Sequence, residues 1–310
     1  MRFLDSTVMP TFLSRALICA LCLLSSGCAA AVAGREPSLP ERRVKHVVLV
    51  SVDGLRPDAI EASGARTIRS IMGEGAFTLE ARTIFPSKTL PSHTSMLTGV
   101  SPAKHGITWN EDRVGETGRV AVPTVFDLAD SAGLEVAAFF GKAKFHHLMG
   151  GGPTRFWATA PGGVEVFMAP RMVEDVERYL RFRKPDLLFV HLSDVDVAGH
   201  SVGWMSLPYR MAVRRADAAV ARIRAAARAR FGDDFVLLVT ADHGGHGRNH
   251  GSDEAVDMTI PWMAWGKGVA PGRIAAPITT FDTAATVLWL LGVPRPDSWD
   301  GRPVTAAFGA

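Results

Sequence analysis

Five short apolar runs punctuate this sequence, and three of them stop at residues of metal-binding type. Val44–Val52 ends at Asp53-Gly54, Asp186–Leu192 is followed by Asp194 and Asp196, and Phe235–Thr240 leads to Asp242-His243. Glu135–Phe140 and Thr259–Trp265 complete the set. Runs this short and this continuously apolar read as strands buried on both faces, and the stretches between them have helical length and pattern. The expected fold is α/β, a mostly parallel central sheet with helices on both faces. In such a sheet the carboxyl ends of the strands share one edge, where these folds place their ligand sites.

Composition narrows the function. Across 310 residues, 34 Lys+Arg face 31 Asp+Glu, a formal net charge of +3. That balance suits a small anionic substrate and falls well short of nucleic-acid-binding charge density, so duplex nucleic acid is not an expected partner. Met211–Phe231 is the clearest helix, with Val213, Ala216, Val220, Ile223 and Ala227 along one stripe. Its seven arginines, counting Arg210, read as a solvated outer face, because no aromatic stacking platform interleaves them. The only cysteines are Cys19, Cys22 and Cys28. The rest of the chain therefore has no disulfide framework, no cysteine nucleophile and no cysteine-rich zinc knuckle.

Those cysteines belong to an amino terminus laid out as an export leader. Arg2 and Arg15 precede the apolar run Ala16–Leu24, and small residues follow. Nine apolar residues cannot span a bilayer, which needs about 20. Residues 1–28 are expected to be a signal peptide, with two competing processing sites. Ser-Gly-Cys28 resembles a lipobox, although Ser25 stands where an aliphatic residue is usual, and would give a lipid anchor at Cys28. Ala31-Val32-Ala33 is an ordinary A-x-A site. The expected location is the bacterial cell envelope, either periplasmic or as a membrane-anchored lipoprotein. Residues 29–43 read as a tether and 44–310 as one catalytic domain, long enough to bury a sizeable core.

Two clusters carry the chemistry. Asp196 and His200 stand at i and i+4, within reach of one cation if the segment is helical. Asp242-His243-Gly-Gly-His246-Gly-Arg-Asn-His250 packs an Asp and three His into nine residues, with glycines that let the backbone bend sharply. Carboxylate and imidazole without thiolate suit zinc in a catalytic site. Asp194 is a rival to Asp196 but lacks the i+4 histidine.

In order and combination, five motifs resemble the alkaline phosphatase superfamily, in particular its nucleotide pyrophosphatase/phosphodiesterase-like branch with a threonine nucleophile. They are Val50-Ser-Val-Asp53-Gly-Leu-Arg56; Lys88-Thr89-Leu-Pro-Ser-His93; Leu97-Thr-Gly99 leading to His105-Gly-Ile-Thr-Trp-Asn110; Asp196-Val-Ala-Gly-His200; and Ala241-Asp242-His243-Gly244. The resemblance implies two zinc ions. One would be held by Asp53, Asp242 and His243 with Thr89 as reactive ligand, the other by Asp196, His200 and a late histidine. For the latter His250 is preferred and His246 is the alternative. Only six residues separate His243 from His250, where the phosphodiesterases carry a long insertion, and Ser92 replaces a usual asparagine.

The resemblance further implies attack by Thr89, a phosphothreonyl intermediate and its hydrolysis. Zinc ions about 4 Å apart would stabilise the attacking and leaving oxygens together. Thr89 would open a helix toward Leu97 whose free N–H groups favour phosphate, and Asn110 would donate to a phosphoryl oxygen. Lys142 and Lys144 resemble the basic-x-basic pair that clamps substrate anions in monoesterases and phosphonoacetate hydrolases of the superfamily. Two such charges would favour a dianionic monoester over a diester. His93 and His105 read as structural, and Ser87 as a weak rival nucleophile. The implied activity is zinc-dependent hydrolysis of a small phosphate ester, monoester or diester. A phosphonate C–P hydrolase and an inactive phosphate-ester-binding envelope lipoprotein are the alternatives. A sulfatase is not expected, since the mature chain has neither Cys nor a Ser-x-Pro-x-Arg motif, and the large insertion of a phosphoglycerate mutase is missing too.

Overall fold

A computed structural model describes residues 41–150, 155–158 and 169–309, the segment 155–158 by its backbone. The expected signal peptide, Cys28 and all but the end of the tether lie outside the described residues. Among those described, no helix is long and apolar enough to cross a membrane.

Eight strands form one sheet: β1 (His46–Val52), β2 (Ala76–Arg82), β3 (Val136–Phe140), β4 (Arg155–Ala158), β5 (Leu187–Leu192), β6 (Phe235–Thr240), β7 (Thr259–Gly266) and β8 (Gly272–Arg273), in the order β4-β3-β5-β1-β6-β7-β2-β8. From β4 to β6 every neighbouring pair is parallel, while β7 runs antiparallel to both β6 and β2. All residues of β1, β3, β5 and β6 are buried, which is why these strands read as unbroken apolar runs. β2 mixes buried, half-buried and exposed positions with a register shift between Thr78 and Ala81, and the short β4 and β8 carry little pattern, so none of the three stands out in the sequence.

Helices cover both faces. Pro57–Ser63, Arg66–Glu74, Ala169–Phe182 and Asp194–Val202 gather around the 25-residue helix Leu207–Phe231. That helix starts four residues earlier than the sequence pattern suggests, capped by the Ser206 hydroxyl accepting from the Tyr209 N–H. Of the seven arginines expected on an outer face, Arg214, Arg215, Arg222 and Arg228 are exposed, while Arg210, Arg224 and Arg230 are half-buried. On the other side Thr89–Thr98, Val125–Ser131 and Asp282–Leu291 pack together and against the sheet. The sheet's parallel half puts the ends of β3, β5, β1 and β6 side by side. Lys142, Asp194 to Asp196, Asp53 and Asp242-His243 follow those ends in that spatial order.

Candidate active site

The Thr89–Thr98 helix is buried along its whole length although six of its ten residues carry a hydroxyl or an imidazole. Burial of such groups is tolerated only where each finds a partner. Thr94 and Thr98 donate to the carbonyls of Leu90 and Thr94, His93 accepts from Ser51 of β1 at 2.8 Å, and Ser95 meets His105 Nε2 at 2.9 Å. His93 also donates through Nδ1 to the Thr89 carbonyl, tying the helix start to the strand that carries Asp53. Both histidines are structural, as the sequence suggested. His93, however, stands on the helix itself and only 3.3 Å from Asp242.

Thr89 is the first residue of this helix, and its Oγ1 lies 3.4 Å from His243 Nε2. Asn110 reaches back so that its Oδ1 accepts the Leu90 N–H at 2.9 Å, leaving the amide nitrogen for another contact. The helix start therefore offers less to a phosphate than expected. Leu90's N–H is taken by Asn110, Pro91 has none, and Ser92's goes to Lys88, which leaves that of Thr89. Ser92 itself accepts from Thr83, and Ser87 donates its hydroxyl to the Ser252 carbonyl at 2.6 Å. Neither hydroxyl is turned toward the site.

Three carboxylates meet beside Thr89. Asp242 accepts the Gly54 N–H through Oδ1 at 3.0 Å, so the turn after β1 holds the residue that follows β6. Gly54 has φ +73°, and a Cβ there would stand 3.0 Å from the Asp196 backbone. Only glycine combines that left-handed turn with so close an approach. Asp53 Oδ1, Asp196 Oδ1 and Asp242 Oδ2 are buried and have no hydrogen-bond partner. Around them stand three imidazoles. His200, His243 and His250 each donate Nδ1–H to a backbone carbonyl, of Arg248, Gly244 and Ser87 respectively, which turns Nε2 inward. His243 Nε2 is 3.3 Å from Asp53 Oδ1 and 3.2 Å from Asp242 Oδ2. His200 and His250 Nε2 lie 3.4 and 3.6 Å from Asp196 Oδ1 and 3.0 Å from each other. The residues of both expected sets thus lie together, and of the two late histidines it is His250 that stands beside Asp196, with His243 close to both groups. His246 points elsewhere and donates to Asp257 at 2.8 Å.

Electrostatics sharpen the picture. Against three carboxylates stands the ammonium of Lys142, 2.7 Å from Asp53 Oδ2 and 2.5 Å from Asp196 Oδ2. Burial would raise the Asp53 pKa, but Lys142 and the histidines hold it well below the carboxylate range. Burial lowers His243, and the surrounding carboxylates outweigh it, raising the ring to about 9. Burial drives His191 and His250 down to about 4, so both rings are neutral near pH 7. Buried oxygens without donors, the inward Nε2 atoms of His200 and His250, and that of His243, whose proton a bound cation would displace, form an oxygen and nitrogen set that fits divalent cations such as zinc.

Two contributors escape the sequence. His191 donates Nε2–H to Asp53 Oδ2 at 3.0 Å while its Nδ1 accepts the Gly141 N–H, but it sits inside the apolar β5 and reads as core. Trp204 stacks edgewise on His200 and lies against His250, and it donates Nε1–H to the Gly54 carbonyl. A Cβ on Gly199 or Gly245 would strike its ring. Lys144 is half-buried and engaged by neighbouring groups.

The whole constellation lies within residues 47–259, which match the family described as type I phosphodiesterase / nucleotide pyrophosphatase. The chain belongs to this family. Among curated members and relations, it is 24% identical to a venom phosphodiesterase of Macrovipera lebetinus over 241 residues, 71% of this chain and 28% of that one. It is 27% identical to GPI ethanolamine phosphate transferase 1 of Emericella nidulans over 282 residues, 77% of this chain and 29% of that one. This phosphodiesterase-family chain thus spans less than a third of the length of the curated relatives it matches. Its fold is that of the alkaline phosphatase superfamily. Murine ectonucleotide pyrophosphatase/phosphodiesterase 5, as an inactive form in complex with AMP, superposes with a TM-score of 0.69 at 16% identity, over 83% of this chain and 97% of that one. The alkaline phosphatase PafA gives 0.69 at 14% identity, over 87% and 100%.

Proposed function

We propose that the chain is a zinc-dependent phosphoric ester hydrolase, cleaving phosphodiester or pyrophosphate bonds of small substrates through Thr89. The observation that carries this reading is the convergence of Thr89 Oγ1, three partnerless carboxylate oxygens and three inward Nε2 atoms. Asp53, Asp242 and His243 would hold one zinc ion near Thr89, and Asp196, His200 and His250 the other. Bound zinc supplies a lowered pKa for the threonine hydroxyl and charge stabilisation at the attacking and leaving oxygens.

The chain's own residues then do the rest. Thr89 Oγ1 gives up its proton and bonds to phosphorus as the bond to the leaving oxygen breaks and that oxygen takes up a proton, giving a phosphothreonyl ester that keeps the substrate's other substituent. Water then cleaves the threonyl oxygen–phosphorus bond, releasing a phosphate monoester and restoring the hydroxyl. Asn110, held by the Leu90 N–H, presents its amide to a phosphoryl oxygen. Trp204 packs edgewise against His200 and His250 and holds their rings in place, while His200 keeps an exposed side. Lys142's charge is offset by two carboxylates, which weakens the case for a dianionic monoester. The family match, the venom phosphodiesterase relative and the AMP complex of the murine neighbour lean the same way.

The test compares hydrolysis of aryl phosphate diester, aryl phosphate monoester, a nucleotide and a phosphonate by the purified chain, with metal content measured. Two zinc ions per chain and diester or nucleotide turnover are expected. Thr89→Ala should cut the rate about 10³-fold or more with zinc retained. A chain without zinc, or a fully active Thr89→Ala variant, overturns the reading and favours a non-catalytic binding role. The leader's layout supports export to the cell envelope. Mass spectrometry of the mature amino terminus separates lipidated Cys28 from cleavage after Ala33.

A further inference from the structure

The geometry points to Lys142 as a positioning residue for both metal sets, an inference that rests on the zinc reading above. The Lys142 ammonium meets Asp196 Oδ2 at 2.5 Å and Asp53 Oδ2 at 2.7 Å. These carboxylates belong to different sets, so one side chain links the two. In each carboxylate Lys142 takes Oδ2, and the partnerless oxygen is Oδ1. The Oδ1 atoms are those facing the imidazoles, Asp53 toward His243 and Asp196 toward His200 and His250. Lys142 thus grips the back of one ligand from each set and turns both fronts toward the ions.

The alternative is the substrate clamp that the resemblance of Lys142-Ala-Lys144 to a basic-x-basic pair implies. An ammonium has three donors, and two of Lys142's are spent on carboxylates. With side chains at 3% exposure or less, the Lys142, Asp53 and Asp196 cluster is shielded from water and salt, so this pairing is not a loose surface contact. Its position follows from the fold. Gly141 follows β3, whose neighbour β5 lies beside β1, so the residue after Gly141 approaches Asp53 and Asp196 from the side away from β6. From there it meets the oxygens facing away from His243. Partners that orient ligating carboxylates in this way are worth about 10–100-fold in metal affinity.

The test is zinc binding by the full chain, stripped with chelator and titrated against a zinc indicator in phosphate-free buffer. Lys142→Met should weaken both zinc equivalents together by about 10–100-fold, because it frees one ligand of each set. Lys142→Arg, which keeps the charge and donors for both oxygens, should recover most of the loss, a rescue that mere core filling would not predict. Wild-type zinc affinity in Lys142→Met, with only inorganic phosphate binding weakened, would overturn the inference in favour of a substrate clamp. Tighter zinc binding would overturn it too, since Lys142 would then compete with the ions. If the methionine variant does not fold, Lys142→Gln takes its place. Its shorter neutral amide cannot span both oxygens, so a loss of about tenfold is expected and unchanged affinity overturns the inference. If the wild-type chain itself takes up no zinc, it is the underlying metal reading that fails.

Discussion

The Nε2 atoms of His200 and His250 face each other at 3.0 Å, each ring pinned from behind by a backbone carbonyl. Two imidazole lone pairs at that distance repel unless a cation or proton lies between them. His250→Ala should therefore lower zinc stoichiometry from two to one per chain. His246→Ala should leave it at two, because His246 is turned toward Asp257. Elemental analysis of the two purified variants checks this.

Asn110 is expected to have separable roles. Its Oδ1 accepts a helix-start N–H, and its amide nitrogen is the proposed phosphoryl donor. Asn110→Ala should cost about 1 kcal/mol in urea denaturation and about 10²–10³-fold in kcat. Asn110→Asp keeps the acceptor, so it should restore stability without restoring rate.

The Gly54 carbonyl accepts from both Trp204 Nε1 and Tyr209 OH, at 3.0 and 2.9 Å. Tyr209→Phe should cost about 1–3 kcal/mol, since the buried hydroxyl also accepts the Arg56 N–H. Adding Trp204→Phe leaves the carbonyl without either donor. The double variant should lose about 1 kcal/mol more than the sum of the singles, as a double-mutant cycle by urea denaturation will show.

Burial lowers the His105 pKa to about 4, with Nε2–H donated to Ser95 and Nδ1 accepting the Ile107 N–H. An unfolded histidine titrates near 6.5. Between those values the unfolded chain binds a proton that the folded chain refuses. This contribution to stability is therefore complete above pH 6.5 and is lost as pH falls toward 4. His105→Gln should flatten the slope of unfolding free energy against pH in that window relative to wild type, by up to one proton's worth. An unchanged slope in paired urea titrations would remove His105 from the acid response.

Strands buried on both faces were legible because burial on both sides selects mostly apolar residues, so β1, β3, β5 and β6 announce themselves. β2 was not, because one of its faces is partly exposed and Glu80 and Arg82 break the run. The direction of β7 was equally hidden, since strand sense depends on the connection and not on the residues within the strand. In the site, clustered ligands could be read from spacing, as with Asp196 and His200 on one helical turn. His191 could not, because a lone histidine in an apolar strand has the same local pattern whether it orients a carboxylate or merely fills the core. The role of Lys142 also depended on long-range geometry. Its resemblance to a basic-x-basic pair implied a place beside a substrate anion, but only the sheet order puts it between Asp53 and Asp196.

That sheet order has a kinetic corollary. The candidate ligands come from the ends of β1, β5 and β6 and from the loop reaching His250, so a span from residue 53 to residue 250 must close before six donors face one another. In the unfolded chain only fragments exist, such as Asp196 with His200, and such fragments hold zinc weakly beside a completed cage. Contacts this distant in sequence form late and slowly. Metal uptake should thus report the completion of folding, and stopped-flow zinc capture during refolding should track the slowest structural phase. A chain threaded unfolded across a membrane would arrive without its ions and draw them from the far side.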